Sequence, residues 1–270
     1  MRVFVNSLPK SGTNLLEKLV RLLDFKHSGR SLASTSILGR WNIVKSVLRQ
    51  DHFRGLSVPV GLEYPVSVSV SWLDKVLDIP DGSYISGHAA YSEQLDYLVQ
   101  QHKMPVLQIY RDPRAVLLSW ARFVAEEQVS WYPLHNFFKS MELEERILFL
   151  LHGGYANGIY HSSFREILQR SSGWLLSDNT FIVRFEDIIG AQGGGDDVLQ
   201  RQVLIRILDF LQIPSNNDLV NRLQASLYGG TKTFRSGQVD SWRNLPPRVL
   251  AQISEHLSGC KIVETLRYSL

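Results

Sequence analysis

The stretch that most limits the fold lies at the start of the chain. Val3-Phe4-Val5-Asn6 reads as a short buried strand, and Ser7 to Thr13 reads as a loop. Leu15, Leu16, Leu19, Val20, Leu22 and Leu23 then recur with helical spacing. Strand, small-residue loop and helix open a βαβ unit. The arrangement returns at Pro105 to Tyr110, a second strand, which is followed by Arg111-Asp112. Pro113 fits the first turn of the next helix, which carries Val116, Leu117, Trp120 and Phe123 on its apolar side. Thr180 to Arg184 reads as a third strand and Ser83 to Ser86 as a fourth. Near-continuous apolar strands between helices predict an α/β fold with a central parallel sheet covered on both faces.

The remaining pattern is coarser. Residues 140–170 read as helical, with Leu143, Ile147, Leu150 and Leu151 in register. Residues 191–197, with three consecutive glycines, read as a flexible turn before a helix from Val198 to Leu211, and Pro214 ends that region. Residues 228–245 show no periodicity, and Pro246-Pro247 opens a last helix. Residues 28–80 are the least legible, with one strand suggested where Val66, Val68 and Val70 alternate with serine. A chain of 270 residues, 44% hydrophobic and without an evident linker, predicts a single domain over residues 1–270.

Lys and Arg total 29 against 26 acidic residues, a net charge of +3. So mild a balance suits a small anionic ligand better than a nucleic-acid surface. Cys260 is the one cysteine, so no intrachain disulfide forms. The apolar start is too short for a signal sequence, and no apolar run approaches the ~20 residues of a membrane span. The expected location is cytoplasmic, with no membrane partner.

Pro9-Lys10-Ser11-Gly12-Thr13-Asn14 sits between the first strand and its helix. Gly12 lets the backbone approach an anion closely, while the amides and dipole of the first helical turn favour negative charge. Lys10 supplies a full positive charge, and Ser11, Thr13 and Asn14 add side-chain donors. The plain alternative is an ordinary helix start with a solvated lysine. The loop also departs from the common nucleotide loop, in which glycine precedes lysine and Ser or Thr follows it.

With these residues in place, the chain resembles the cytosolic-type sulfotransferases. Pro9 to Asn14 is similar to that family's first signature. Tyr110-Arg111-Asp112-Pro113 through Ser119 resembles its second, an arginine at a strand end and a serine on the next helix. Val183-Arg184-Phe185-Glu186-Asp187 resembles a third element. Phe234-Arg235-Ser236-Gly237, then Ser241-Trp242-Arg243-Asn244, resembles the late Phe-Arg-Lys-Gly and Asp-Trp-Lys-Asn element. The resemblance implies a three-layer, P-loop-like fold and a transferase that uses 3′-phosphoadenosine 5′-phosphosulfate without a metal. It places Lys10, Ser11, Gly12, Thr13, Asn14, Arg111, Ser119, Phe185, Phe234, Arg235, Ser236 and Gly237 around that co-substrate. Independently of any family, a 3′-phosphate needs its own cationic pocket, which Arg111, Ser119, Arg235 and the Gly237 amide would form. Three departures stand out: Leu15 replaces an aromatic residue, Ser236 replaces the lysine, and Ser241 replaces the aspartate.

The resemblance further implies a catalytic histidine at a strand end about twenty residues before the Arg-Asp-Pro strand. His88, after Tyr84-Ile85-Ser86-Gly87, fits that place. An alcohol becomes a good nucleophile only when its proton is removed, and histidine titrates near neutral pH. A helix-capping or core histidine is the alternative. His52, His102, His135, His152, His161 and His256 read as surface or structural, and no paired spacing implies a metal. Acceptor walls are expected from residues 37–75, with Trp41, Phe53, Tyr64 and Trp72, and from Trp131-Tyr132-Pro133. Such walls suit a hydrophobic or phenolic small molecule. Two other functions remain open: a P-loop kinase acting on a small molecule, and an inactive protein that keeps the nucleotide pocket.

Overall fold

The computed structural model describes residues 1–38, 57–230 and 237–270. In chain order the strands are β1 Val3–Ser7, β2 Lys26–Ala33, β3 Ser57–Pro59, β4 Ser67–Ser69, β5 Ser83–His88, β6 Val106–Tyr110, β7 Gly154–Ala156, β8 Ile159–His161 and β9 Thr180–Arg184. Five of them form a sheet in the order β2-β5-β1-β6-β9, with every neighbouring pair parallel. β1 is therefore central, and its alternation serves two layers. Val3 and Val5 face one helical layer, made by α1 (Thr13–Leu22) with the helices Asp197–Phe210 and Asn217–Leu227. Phe4 faces the other side, where the helices Val70–Leu77 and Glu93–Gln101 pack around Trp174. A further apolar cluster gathers the helices Pro113–Phe123, Leu143–His152, Phe164–Ser171 and Pro247–Leu257. Burial on both faces explains why β1 and β6 are mostly apolar. The expected parallel three-layer α/β architecture is thus present.

Several local expectations differ from what the chain adopts. The 140–170 region is two helices, Leu143–His152 and Phe164–Ser171, separated by the β7–β8 hairpin. Gly153, Gly154, Asn157 and Gly158 all take positive φ there, which a continuous helix excludes. The strand suggested near Val66 is the short Ser67–Ser69, paired with Ser57–Pro59. It ends because Ser69 caps the following helix, accepting a bond from the Trp72 amide at 3.2 Å. The turn at 191–197 is held by hydrogen bonds: Val239 N donates to Gly193 O at 3.0 Å, and Ala191 N donates to the Asp197 carboxylate at 2.8 Å. The helix opened by Pro247 is not the last, since Lys261–Thr265 forms one more turn.

β8 ends in His161, which is fully buried among Tyr64, Trp120 and Phe149, with ring centroids 5.2, 5.4 and 6.0 Å away. Its Nδ1 meets the Ser162 carbonyl at 2.8 Å, so Nδ1 carries the proton, while Nε2 is buried without a partner. Burial pushes this imidazole down to about 4, against the upward pull of the Ser162 carbonyl and Glu166. An unfolded histidine titrates near 6.5. Between about pH 6.5 and 4 only the unfolded chain takes up this proton, so stability is fully present above 6.5 and falls as pH drops through that window. The slope from this residue reaches at most ~1.4 kcal/mol per pH unit. Urea unfolding midpoints of wild type and His161→Phe, compared between pH 7 and 5, are expected to fall less steeply in the variant. Parallel slopes would remove His161 from the acid sensitivity of the fold.

Candidate active site

The carboxyl ends of β1, β5 and β6 are neighbours in the sheet and open onto one cleft of about 370 Å³. Crevices outside the carboxyl ends of parallel strands are where ligands bind in such sheets. Lys10, His88 and Arg111, one from the end of each strand, all line this cleft.

The loop after β1 is shaped by two left-handed residues. Lys10 has φ 64° and Gly12 has φ 120°. A Cβ on Gly12 would come within 2.9 Å of Ile109 Cδ1 and 3.0 Å of Phe185 Cδ2, so only glycine lets the backbone pass. Ser11 pins the loop: its hydroxyl lies 2.8 Å from Leu8 O and 3.0 Å from Ile109 O, and its side chain does not line the cleft. No side chain caps α1, and its first turn carries no acid. The helices starting at Val70, Glu93, Phe164, Asp197 and Asn217 are each capped by a side chain. Thr13, Asn14 and Leu15, the first residues of α1, line the cleft, and the Leu15 amide donates back to Gly12 O at 2.9 Å. Lys10 Nζ stands 4.0 Å from the centre of the Phe123 ring. Lys18, one turn along α1, donates to Gly229 O at 2.8 Å and so ties a second wall of the cleft to this helix.

Arg111, at the end of β6, is 9% exposed and lines the same cleft. Its guanidinium lies 4.2 Å from the Phe185 ring centre and donates to Gln238 O at 2.8 Å, while its Nε is buried without a partner. The adjacent acids are committed elsewhere. Asp112 caps the following helix through Arg114 N at 2.9 Å and pairs with the Arg114 guanidinium at 2.6 Å. Arg114 in turn stacks on Trp242 at 3.5 Å. Glu186 accepts from Asp112 N at 2.8 Å and from the Tyr268 hydroxyl at 3.1 Å. Burial pushes Arg111 below its usual pKa, and the nearby Glu186 and Asp112 carboxylates pull it back up. Ser119 and Gly237 complete this end of the cleft, with Gly237 beside the Gln238 carbonyl that holds Arg111.

His88 ends β5, two residues beyond the expected strand end. Gly87 before it leaves room for β2, since a Cβ there would lie 2.4 Å from Leu32 O. The His88 Nδ1 is 3.1 Å from the Ser7 carbonyl and 3.0 Å from the Ser7 hydroxyl. A proton on Nδ1 satisfies that carbonyl and leaves Nε2 with a lone pair, as a base requires.

Beyond His88 the walls change character. Leu118, Trp120, Phe123, Trp131 and Tyr132 line the far end, together with Ala33, Thr35, Glu63 and Arg122. Trp131 and Tyr132 are where the sequence places an acceptor wall. Tyr64 lies beneath, its hydroxyl donating to Pro133 O at 3.2 Å, and Trp72 is outside the cleft. Glu63 is absent from the sequence reading. Its carboxylate is 2% exposed and accepts from the Ser34 hydroxyl at 2.6 Å. An acid in an apolar setting, Gly61-Leu62-Glu63-Tyr64, is the signal that could have found it.

The structure therefore brings Lys10, Gly12, Thr13, Asn14, His88, Arg111, Ser119, Phe185 and Gly237 into one cleft, with Ser11 behind it. Phe234, Arg235 and Ser236 lie outside the described residues, as do Trp41, His52 and Phe53. No group of three His, Cys, Asp or Glu side chains capable of holding a metal occurs among the described residues. No helix among them is long and apolar enough to cross a membrane.

A family model described as Sulfotransferase domain matches residues 1–258. The chain belongs to the sulfotransferase family. Solved structures with this fold include mouse sulfotransferase SULT7A1 complexed with PAP, which is 16% identical, with TM-score 0.59 over 99% of this chain and 85% of that one. Retinol dehydratase in complex with androsterone and inactive cofactor PAP is also 16% identical, with TM-score 0.58 over 96% of this chain and 81% of that one. The same enzyme with retinol and PAP gives TM-score 0.56 at 16% identity over 96% of this chain and 82% of that one. No curated protein sequence matches this chain. In this sulfotransferase, Gly12→Ala is expected to lower unfolding free energy by more than ~1 kcal/mol, since a left-handed residue gains a Cβ against Ile109 and Phe185. Chemical denaturation measures it, and an unchanged midpoint would mean that the loop relaxes freely.

Proposed function

We propose that this protein transfers a sulfuryl group from 3′-phosphoadenosine 5′-phosphosulfate to a hydroxyl or amine of a small acceptor. The observation that carries this reading is that one cleft holds two separate anion-ready features. One is the uncapped start of α1 with Lys10. The other is Arg111, buried, without an ion pair among the described residues and with an orphaned Nε. A donor with phosphate groups at both its 5′ and 3′ ends needs both. On this reading α1, Lys10, Thr13 and Asn14 bind the 5′ end. Arg111, Ser119 and the Gly237 amide bind the 3′-phosphate with Arg235, and Phe185 packs beside the nucleoside.

The donor supplies an activated sulfuryl group attached to a phosphate oxygen. His88 Nε2 takes the proton of the acceptor hydroxyl as its oxygen forms a bond to sulfur. The bond from sulfur to the phosphate oxygen breaks, and Lys10 holds the negative charge that collects there. Adenosine 3′,5′-bisphosphate and the sulfated acceptor result. Trp120, Phe123, Trp131 and Tyr132 support a hydrophobic acceptor, phenolic ones included, and the Glu63 carboxylate disfavours an anionic one. The reading treats residues 1–270 as one domain acting in the cytoplasm.

Ligand preference tests the two-ended pocket. Calorimetry without added metal is expected to show adenosine 3′,5′-bisphosphate binding far more tightly than ADP. Arg111→Ala should narrow that gap by about 1.5–3 kcal/mol, the worth of a charged hydrogen bond. Equal affinity for the two ligands in the wild type would remove the basis for the donor assignment.

Turnover tests the base. With labelled donor and a panel of acceptors, His88→Asn is expected to lower kcat by about 10²–10⁴ and to leave bisphosphate affinity nearly unchanged. Lys10→Ala should weaken both turnover and donor binding, because Lys10 meets phosphate in ground and transition states alike. A His88→Asn variant that keeps more than about a tenth of wild-type turnover, with chemistry rate-limiting, would show that another group activates the acceptor.

A further inference from the structure

Ser7, the last residue of β1, is fully buried between the two halves of the cleft. Its hydroxyl lies 2.6 Å from Thr13 Oγ1 at the head of α1, 3.0 Å from His88 Nδ1 and 3.3 Å from the Gly87 carbonyl. A hydroxyl has one proton to give, and three acceptors compete for this one. The His88 tautomer follows from the outcome. When the Ser7 hydroxyl donates to Nδ1, the ring proton sits on Nε2 and His88 cannot act as a base toward the cleft. When Nδ1 is itself protonated, it donates to the Ser7 carbonyl at 3.1 Å, and Nε2 carries the lone pair.

Thr13 decides between the two. It lines the cleft at the uncapped start of α1, where an anion would lie. An anion there draws the Thr13 proton toward itself, which leaves Thr13 Oγ1 to accept from Ser7. The single Ser7 proton is then committed, and Nδ1 of His88 must be the donor. We propose that Ser7 is a positioning residue that couples the two halves of the reaction: donor occupancy at α1 sets the tautomer that makes His88 a base. Without an anion, Thr13 can donate to Ser7, and the Ser7 proton is shared between Gly87 and His88. The inference rests on the sulfotransferase reading, with the 5′ end of the donor as the anion.

The whole protein with ¹⁵N-labelled histidine reports it directly. At pH 8 the ring nitrogens of His88 are followed by NMR as adenosine 3′,5′-bisphosphate is added, with His88→Asn for assignment. Free wild type is expected to show a tautomer mixture, and saturation should move it to the Nδ1-protonated form. Ser7→Ala should show that form with and without bisphosphate, because only the backbone carbonyl remains to meet Nδ1. Thr13→Val at saturating bisphosphate should retain the mixture and lose about two- to tenfold in kcat. Adding Ser7→Ala to Thr13→Val should recover part of that loss, a rescue that a merely structural hydroxyl would not give. Binding that leaves the wild-type tautomer unmoved overturns this inference alone, and the wild-type experiment requires no variant to fold. Failure of the bisphosphate to bind at all, seen by calorimetry, overturns the donor reading and this inference with it.

Discussion

The side chain of Asn6 has no exposure to water and bonds to both strands that flank β1. Its Nδ2 donates to Ala89 O at 3.1 Å and to Gln108 Oε1 at 2.7 Å, and its Oδ1 accepts from Ala89 N at 2.8 Å. Trp174 Nε1 donates to the same Ala89 carbonyl at 3.1 Å. One carboxamide thus joins the ends of β1, β5 and β6 in a water-free setting, where a broken bond leaves a buried polar group unmet. Lys10 and Arg111 follow the ends of β1 and β6 closely, and His88 is the last residue of β5. Their spacing depends on this bridge more than on any contact among themselves. A central strand buried on both faces could have carried another apolar residue at position 6. The amide gives instead a fixed register at the point where the chemistry begins.

The electrostatics around Arg111 follow a consistent pattern. A guanidinium buried beside two carboxylates would ordinarily be neutralised by them. Here Asp112 is taken up by the helix start it caps and by Arg114, and Glu186 by a backbone amide and Tyr268. Both acids remain close enough to sustain the charge on Arg111 without closing on it. The guanidinium is therefore held cationic and incompletely bonded. Such preorganised charge meets an incoming anion without first shedding an ion pair. The conformation of Trp242 also has its reason here. It covers Arg114, whose pairing keeps Asp112 away from Arg111.

Much of this was legible because the relevant segments obey strong local rules. β1, β6 and β9 are short, mostly apolar runs next to helices with clear periodicity, Lys10 to Asn14 and Arg111 come just after β1 and β6, and His88 ends β5. β2 was not legible. Lys26 to Arg30 is polar and mostly exposed, because β2 is the edge strand of the sheet and only Leu32 and Ala33 reach the core. Its place is decided by pairing with β5, which no local pattern announces. The merging of residues 140–170 into one helix has a related cause. Apolar periodicity continues through both helices, and the intervening turn is written only in Gly153-Gly154 and Asn157-Gly158. Glu63 escaped notice because its role depends on Ser34, brought to it by the tertiary fold from 29 residues away.

The loop between β1 and α1 shows how strain and function meet. Lys10 is a non-glycine residue at φ 64°, a conformation that costs on the order of 1–2 kcal/mol. It persists because its neighbours over-determine it. Ser11 is bonded to Leu8 and Ile109, and Gly12 is wedged between Ile109 and Phe185. A relaxed extended residue at position 10 would carry its side chain away from the path that the backbone of Gly12 must take. The left-handed turn lets the two serve one cleft, with the ammonium 4.0 Å from the Phe123 ring centre and the uncapped start of α1 lining the same cleft. Ser7 lies directly beneath this turn, bonded to Thr13 on one side and His88 on the other. Any motion of the loop would therefore be felt by His88, and the bonds that hold Lys10 in its strained turn keep the lysine, Thr13 and the histidine in a single frame.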